Sequence, residues 1–126
     1  MTQYWVVGAN VCGQDMTEKF IKHGFWFGDK DTAQAKIDEI QVGDRIAIKR
    51  MLGQGAKEVA IKAIGVVEDV GQYNALTPIA SNFKIFYIKW ISLMTDDRKV
   101  PFSGFCGTIH GDFNGSEPIS RQIFSL

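Results

Sequence analysis

Cys106, His110 and Asp112 stand close together near the end of the chain, and these are residue types that do chemistry. A cysteine thiolate is a nucleophile, and a histidine beside a carboxylate makes an acid–base pair. With Cys12 and His23, the same residues supply the donor atoms that zinc prefers. Neither constellation is complete. The cysteine and histidine spacing repeats no zinc-finger pattern, and no oxyanion hole or third orienting group accompanies the thiol. The chain therefore reads as a binding domain and not an enzyme, with no metal and no cofactor expected. A small nucleotide-processing enzyme built on His110, Asp112 and Cys106 is the lesser of two rival readings.

Binding chemistry is better represented. Trp5, Trp26 and Trp90 are the rings best suited to stacking on a planar ligand. Stacking recovers ~1–3 kcal/mol per base, enough for two aromatic faces to offset the few kcal/mol of base extraction. Trp5 and Trp90 lie among aliphatic residues in strand-like runs, where a core role is the simpler explanation. Trp26 sits between Phe25 and Phe27 just before Gly28, at what looks like a loop edge, and core and pocket roles are evenly balanced there. Asn10 offers a donor and an acceptor to a base edge, or an Asx turn to its own backbone. Gly8 and Ala9 would let a ligand approach the main chain. Lys49 and Arg50 are placed to meet flanking phosphates, with a solvated pair of cations as the plainer alternative.

These residues need a frame. Tyr4 to Val7 is an aromatic and β-branched run that predicts a first strand, followed by a small-residue loop from Gly8 to Gly13. Asp15 with Glu18 three residues later reads as a helix start, Met16 and Phe20 share one face, and Gly24 is the stop. A second helix is expected from about Asp31 to Ile40, with Ala33, Ile37 and Ile40 on one stripe. Gly43-Asp44 turns the chain, and Ile46 and Ile48 alternate with Arg45, Ala47 and Lys49 as in a half-buried strand. Glu58 to Val70 predicts a long strand bent at Gly65, and Phe83 to Leu93 a central one, apolar on both faces. Asp96-Asp97-Arg98-Lys99 reads as a turn. Ile119 to Phe124 fits a final strand or helix, and the segment 114–126 has no assigned role. The fold class expected is α+β: a small closed β-barrel of five to six mostly antiparallel strands with two or three short helices, and a cavity beside the first turn.

At 126 residues the chain is long enough for one domain, 1–126, with a core of its own. Lysine plus arginine and aspartate plus glutamate balance at 14 each, which counts against tight non-specific binding to duplex DNA. It leaves room for a pocket that takes one base and borrows affinity from a neighbour. No apolar run is long enough to cross a bilayer, so no membrane partner is expected. The start Met1-Thr2-Gln3-Tyr4 lacks a basic n-region, and two cysteines make no disulfide framework, so a reduced cytoplasmic setting is expected.

One resemblance covers the first 70 residues or so. Its residues are Tyr4 to Asn10, Gly13 to Thr17, Phe20 to Trp26, Val42 to Lys49 and Ile61 to Val67, with thinner agreement over Phe83 to Leu93 and Gly107-Thr108-Ile109. In that order they resemble the EVE domains of the PUA-like superfamily, nearest to the N-terminal reader domains of McrB-type modification-dependent restriction GTPases. The resemblance implies a PUA-like barrel that binds nucleic acid, DNA more than RNA, by taking a modified base into an aromatic-lined pocket. In this reading Trp26 with Phe25 or Phe27 supplies a stacking wall; the alternative is an accessory interaction module that pairs with a separate GTPase or nuclease subunit and has no ligand of its own. Two positions depart from the pattern. Val11 stands where readers of this kind often carry tryptophan, and His110 where they tend to carry an aromatic after Gly-Thr-Ile.

Overall fold

The computed structural model describes residues 2–11, 14–29, 34–51, 58–73, 83–101, 109–113, 121 and 123–124. Within them the chain forms β1 (Tyr4–Gly8), β2 (Asn10–Val11), β3 (Gln14–Asp15), α1 (Thr17–His23), β4 (Phe25–Asp29) and a 3-10 helix (Gln34–Glu39). It continues through β5 (Arg45–Met51), β6 (Glu58–Tyr73), β7 (Phe83–Pro101) and β8 (Ile109–Phe113). Six strands make one sheet in the order β4-β7-β6-β5-β1-β8, and β2 pairs with β3 as a separate small ladder. β1 and β5 run parallel, which the crossover through α1, β4 and the 3-10 helix permits. The other ladders are antiparallel. The result is a small β-rich domain with a curled, half-barrel sheet.

The expected closure is not found among the described residues: β4 and β8 end the sheet and do not pair with each other. The inner face is covered instead by side chains from the crossover. Phe20 of α1, Trp26 of β4, and Ile37 and Ile40 at the 3-10 helix pack with Trp5, Val7, Ile46, Ile48 and Phe86. A second cluster covers the other face, where Ile123 joins Val6, Ala47, Ile61 and Val100. Burying a large apolar side chain contributes about 1.5–3 kcal/mol, so these two layers dominate the stability.

The element Val42-Gly43-Asp44 has a structural explanation. Asp44 is buried, and its carboxylate accepts from the Trp5 indole at 2.9 Å, the Gln3 amide at 3.1 Å and the Gln41 amide at 3.0 Å. Gly43, at φ 94°, donates to the Val67 carbonyl at 2.8 Å, while Val67 returns a bond to Asp44 at 2.9 Å. The motif thus locks the start of β1, the turn and β6 together.

Three expectations about elements change. The first helix starts at Thr17, and Asp15 belongs to β3; its carboxylate reaches forward to the Thr17 amide at 3.0 Å and hydroxyl at 2.6 Å. Gly24 does end the helix, left-handed at φ 71°, with its amide on the Phe20 carbonyl. The expected second helix is a 3-10 helix over Gln34–Glu39, with Ile37 and Ile40 buried as anticipated and the expected start, residues 31–33, outside the described set. The turn expected at Asp96 to Lys99 lies inside β7. There the register passes from Ala63↔Leu93 to Ile61↔Arg98, so the polar residues before Arg98 occupy an irregularity in a continuing strand. β6 carries a register shift against β7 between Ile64 and Gly65, at the position where a bend was expected.

Candidate functional site

The parallel pairing of β1 and β5 sets Gly8 beside Lys49, so the first turn and the two cations meet at one end of the sheet. Beyond Gly8 the chain folds into the β2–β3 ladder, which pairs Asn10 with Asp15. Arg50 crosses to this hairpin and donates to Asp15 Oδ2 at 2.7 Å. Asn10, Asp15 and Arg50 are all exposed. Partial burial by itself raises the Asp15 pKa, but hydrogen bonds from the Thr17 hydroxyl and amide, together with the Arg50 charge, outweigh it. They hold the carboxyl below the ordinary aspartate value.

Trp26 does not form a pocket wall. It is fully buried in the middle of β4, level with Phe86, whose ring centroid lies 5.7 Å away. Its indole N–H donates to the Gly8 carbonyl at 2.9 Å. The space inside the first turn is therefore filled by the protein's own indole. A run of three aromatics beside a glycine looks the same in a loop and in an edge strand, and only the ladder with β7 decides. Ala9 is buried too, and its carbonyl accepts from the Met16 amide at 2.7 Å, so it offers no open backbone to a ligand. Gly8 is half-buried, with its carbonyl used by Trp26.

Phe25 and Phe27 stay half-buried and stack on each other at 5.9 Å and 12°, each edge-on to Phe20. Trp5 is core, as anticipated. Trp90 is half-buried and anchored through its indole to the Phe20 carbonyl at 2.9 Å. Lys49 is a further correction. At 5% exposure it does not present its charge to solvent, because it falls in the row of Ile61 on the face that the second cluster covers.

The ladder adds a cation whose position the sequence alone did not reveal. Arg50 pairs with Ala60 on β6, and Ala60 pairs with Lys99 on β7. Paired residues share a face, so Arg50 and Lys99, both exposed, stand in one row two strand spacings apart, about 10 Å. Arg98 is level with Lys49 in the neighbouring row. Lys84 and Lys89 lie elsewhere: Lys84 pairs with Asp38 at 3.2 Å, and Lys89 is level with Val66.

The rival catalytic set is only partly in view. His110 sits on β8 opposite Val6 and is half-buried. Cys106, Cys12 and the Asp112 side chain lie outside the described residues. Among the described residues no group of three histidine, cysteine or acidic side chains is arranged to hold a metal, and no helix is long and apolar enough to cross a membrane.

No protein-family model matches the chain, and no curated protein matches it. Among solved structures, the Toxoplasma CPSF4-YTH domain in its apo form is similar, with a TM-score of 0.49 and 11% identity over 76% of this chain. This chain spans 61% of that one. A likeness this loose assigns neither family nor activity.

Proposed function

We propose that the chain is a nucleic-acid-binding module of EVE type within the PUA-like superfamily, reading one base, a modified one in DNA, without chemistry of its own. The observation that carries this is the exposed row of Arg50 and Lys99 beside exposed Asn10. Two cations on one face suit consecutive phosphates, and an amide at the end of the row suits a base edge. The burial of Trp26 removes the deep cage from this reading, so the base is met at the rim of the β2–β3 hairpin. Phe25 and Phe27 are the members of the expected wall that keep some exposure. With a formal net charge of zero, the backbone contribution is modest and the base contact matters more. Cleavage or signalling then belongs to a separate GTPase or nuclease subunit, in the cytoplasm.

The test is a binding screen of short DNA single strands that differ only in methylation of one central cytosine or adenine. Substitution Asn10→Ala should erase the preference among them, lowering the affinity for the preferred strand to that of the others. A preference that survives Asn10→Ala rejects Asn10 as the reader. Binding by neither protein at low salt rejects the whole reading.

A further inference from the structure

We infer that Asp15 is a built-in stand-in for phosphate, holding the Arg50 guanidinium at the rim until a nucleic-acid phosphate displaces it; the inference rests on Arg50 being a backbone contact. The two oxygens of Asp15 do different work. Oδ1 accepts from the Thr17 amide at 3.0 Å and hydroxyl at 2.6 Å, which fixes the carboxylate to the start of α1. Oδ2 takes Arg50 at 2.7 Å. The carboxylate is thus anchored by the helix, while the arginine arrives on a long side chain from another strand. When the pair opens, it is Arg50 that moves.

Guanidinium binds carboxylate and phosphate through the same planar fork, so a phosphate can take over the bond that Asp15 makes. The pair is well exposed, at 42% and 51% of the two side chains, and water and salt already weaken it. Exchange is therefore cheap. An exposed pair of this kind lowers the affinity of a competing anion by no more than about five-fold.

The position of Asp15 gives the latch a consequence for selectivity. It is paired with Asn10 across the β2–β3 ladder, so the carboxylate released by Arg50 remains beside the base-reading amide. Its charge repels any phosphate that enters there and leaves the amide to a base edge. A strand that offers only its backbone exchanges the Asp15 bond for its own phosphate bond and gains no base contact. One that also satisfies Asn10 recovers the cost. Asp15 thereby converts a general attraction for polyanions into dependence on the base.

The experiment is fluorescence anisotropy with a short labelled DNA single strand, methylated or plain at its central cytosine. It compares the wild-type chain, Asp15→Asn, Arg50→Ala and the double variant. Asparagine keeps an oxygen for Thr17 while removing the charge. Asp15→Asn should tighten binding of both strands by up to about five-fold and shrink the preference between them, and its effect should be clearly smaller in the Arg50→Ala background, where only the repulsion beside Asn10 is relieved. Equal tightening with and without Arg50 would mean simple repulsion and would overturn the latch. Unchanged affinity in Asp15→Asn, with Arg50→Ala still weakening binding, overturns the latch and leaves the nucleic-acid reading standing. If none of the four proteins binds, both fall. A second readout on the wild type avoids any folding defect: the Asp15 carboxyl, followed by NMR, should titrate at higher pH once the DNA strand is saturating. An unmoved midpoint overturns the exchange.

Discussion

Replacing Asp44 tests whether the Val-Gly-Asp element is a structural clamp. Its carboxylate is 3% exposed and serves three donors: the Trp5 indole, the Gln3 amide and the Gln41 amide. Hydrogen bonds to a charged acceptor contribute about 1.5–3 kcal/mol each, and a buried donor left unsatisfied costs about 1–3 kcal/mol. The indole is fully buried and bears the full penalty, whereas the two amides are only partly shielded and recruit water. Counting the buried indole bond at about 1.5–3 kcal/mol and each water-reached amide bond at about 1 kcal/mol, the loss for Asp44→Ala is about 3.5–5 kcal/mol, a large share of the roughly 5–15 kcal/mol that holds a domain folded. Asp44→Asn separates the contributions. Its one acceptor oxygen can serve Gln3, or Trp5 with Gln41, but its amide then faces donors on the other side, and a loss near half that of alanine is expected. Urea unfolding followed by tryptophan fluorescence measures both variants against the wild type. A loss below about 1 kcal/mol for Asp44→Ala would refute the clamp and return the motif to the surface as a site candidate.

Trp26→Ala should cost about 3–5 kcal/mol of stability, the range for emptying a buried aromatic site, where a solvent-facing pocket wall would cost little. Gly65→Ala should also destabilise, by about 1–3 kcal/mol in the same unfolding assay: its Cβ would lie 2.6 Å from Ile88 Cγ2 and 2.7 Å from the Lys89 carbonyl, which cannot swing aside. Because the Asp15 pKa is lowered on folding, its stabilisation is complete above the unfolded aspartate value of about 3.9 and fades as pH falls through the folded one. Asp15→Asn should therefore flatten the fall of unfolding free energy below about pH 4, and identical acid profiles would contradict the assigned shift.

Local signals were legible and long-range ones were not. Gly24 as a helix stop, Ile46 and Ile48 on the inner side of a strand, and the irregularity at Gly65 each depend on a few neighbouring residues and stand where the pattern put them, whereas Ala47 and Lys49, expected on an open face, are buried. Trp26 is different: whether it fills a core or lines a pocket depends on Phe86 and Gly8, which no local pattern links to it. The polar run before Lys99 looked like a turn because residues at a ladder irregularity have the same composition as turn residues. The functional row was hidden for a related reason. Arg50 and Lys99 become neighbours only through Ala60 and a register set by the shifts at Ile48/Lys49 and Ile61/Ala63. Asp15 reads as a helix cap in the sequence, but it lies one residue ahead of the cap Met16; one of its oxygens holds the Thr17 amide and hydroxyl and the other takes Arg50.

The most direct measurement is the slope of log affinity against log salt for a short DNA single strand, taken between about 50 and 200 mM for the wild type and Lys99→Ala. If the row of Arg50 and Lys99 carries the backbone contact, removing Lys99 weakens binding and makes the slope shallower by about 0.7, one phosphate's share. A Lys99→Ala slope and affinity indistinguishable from the wild type would contradict the interface at that end of the sheet.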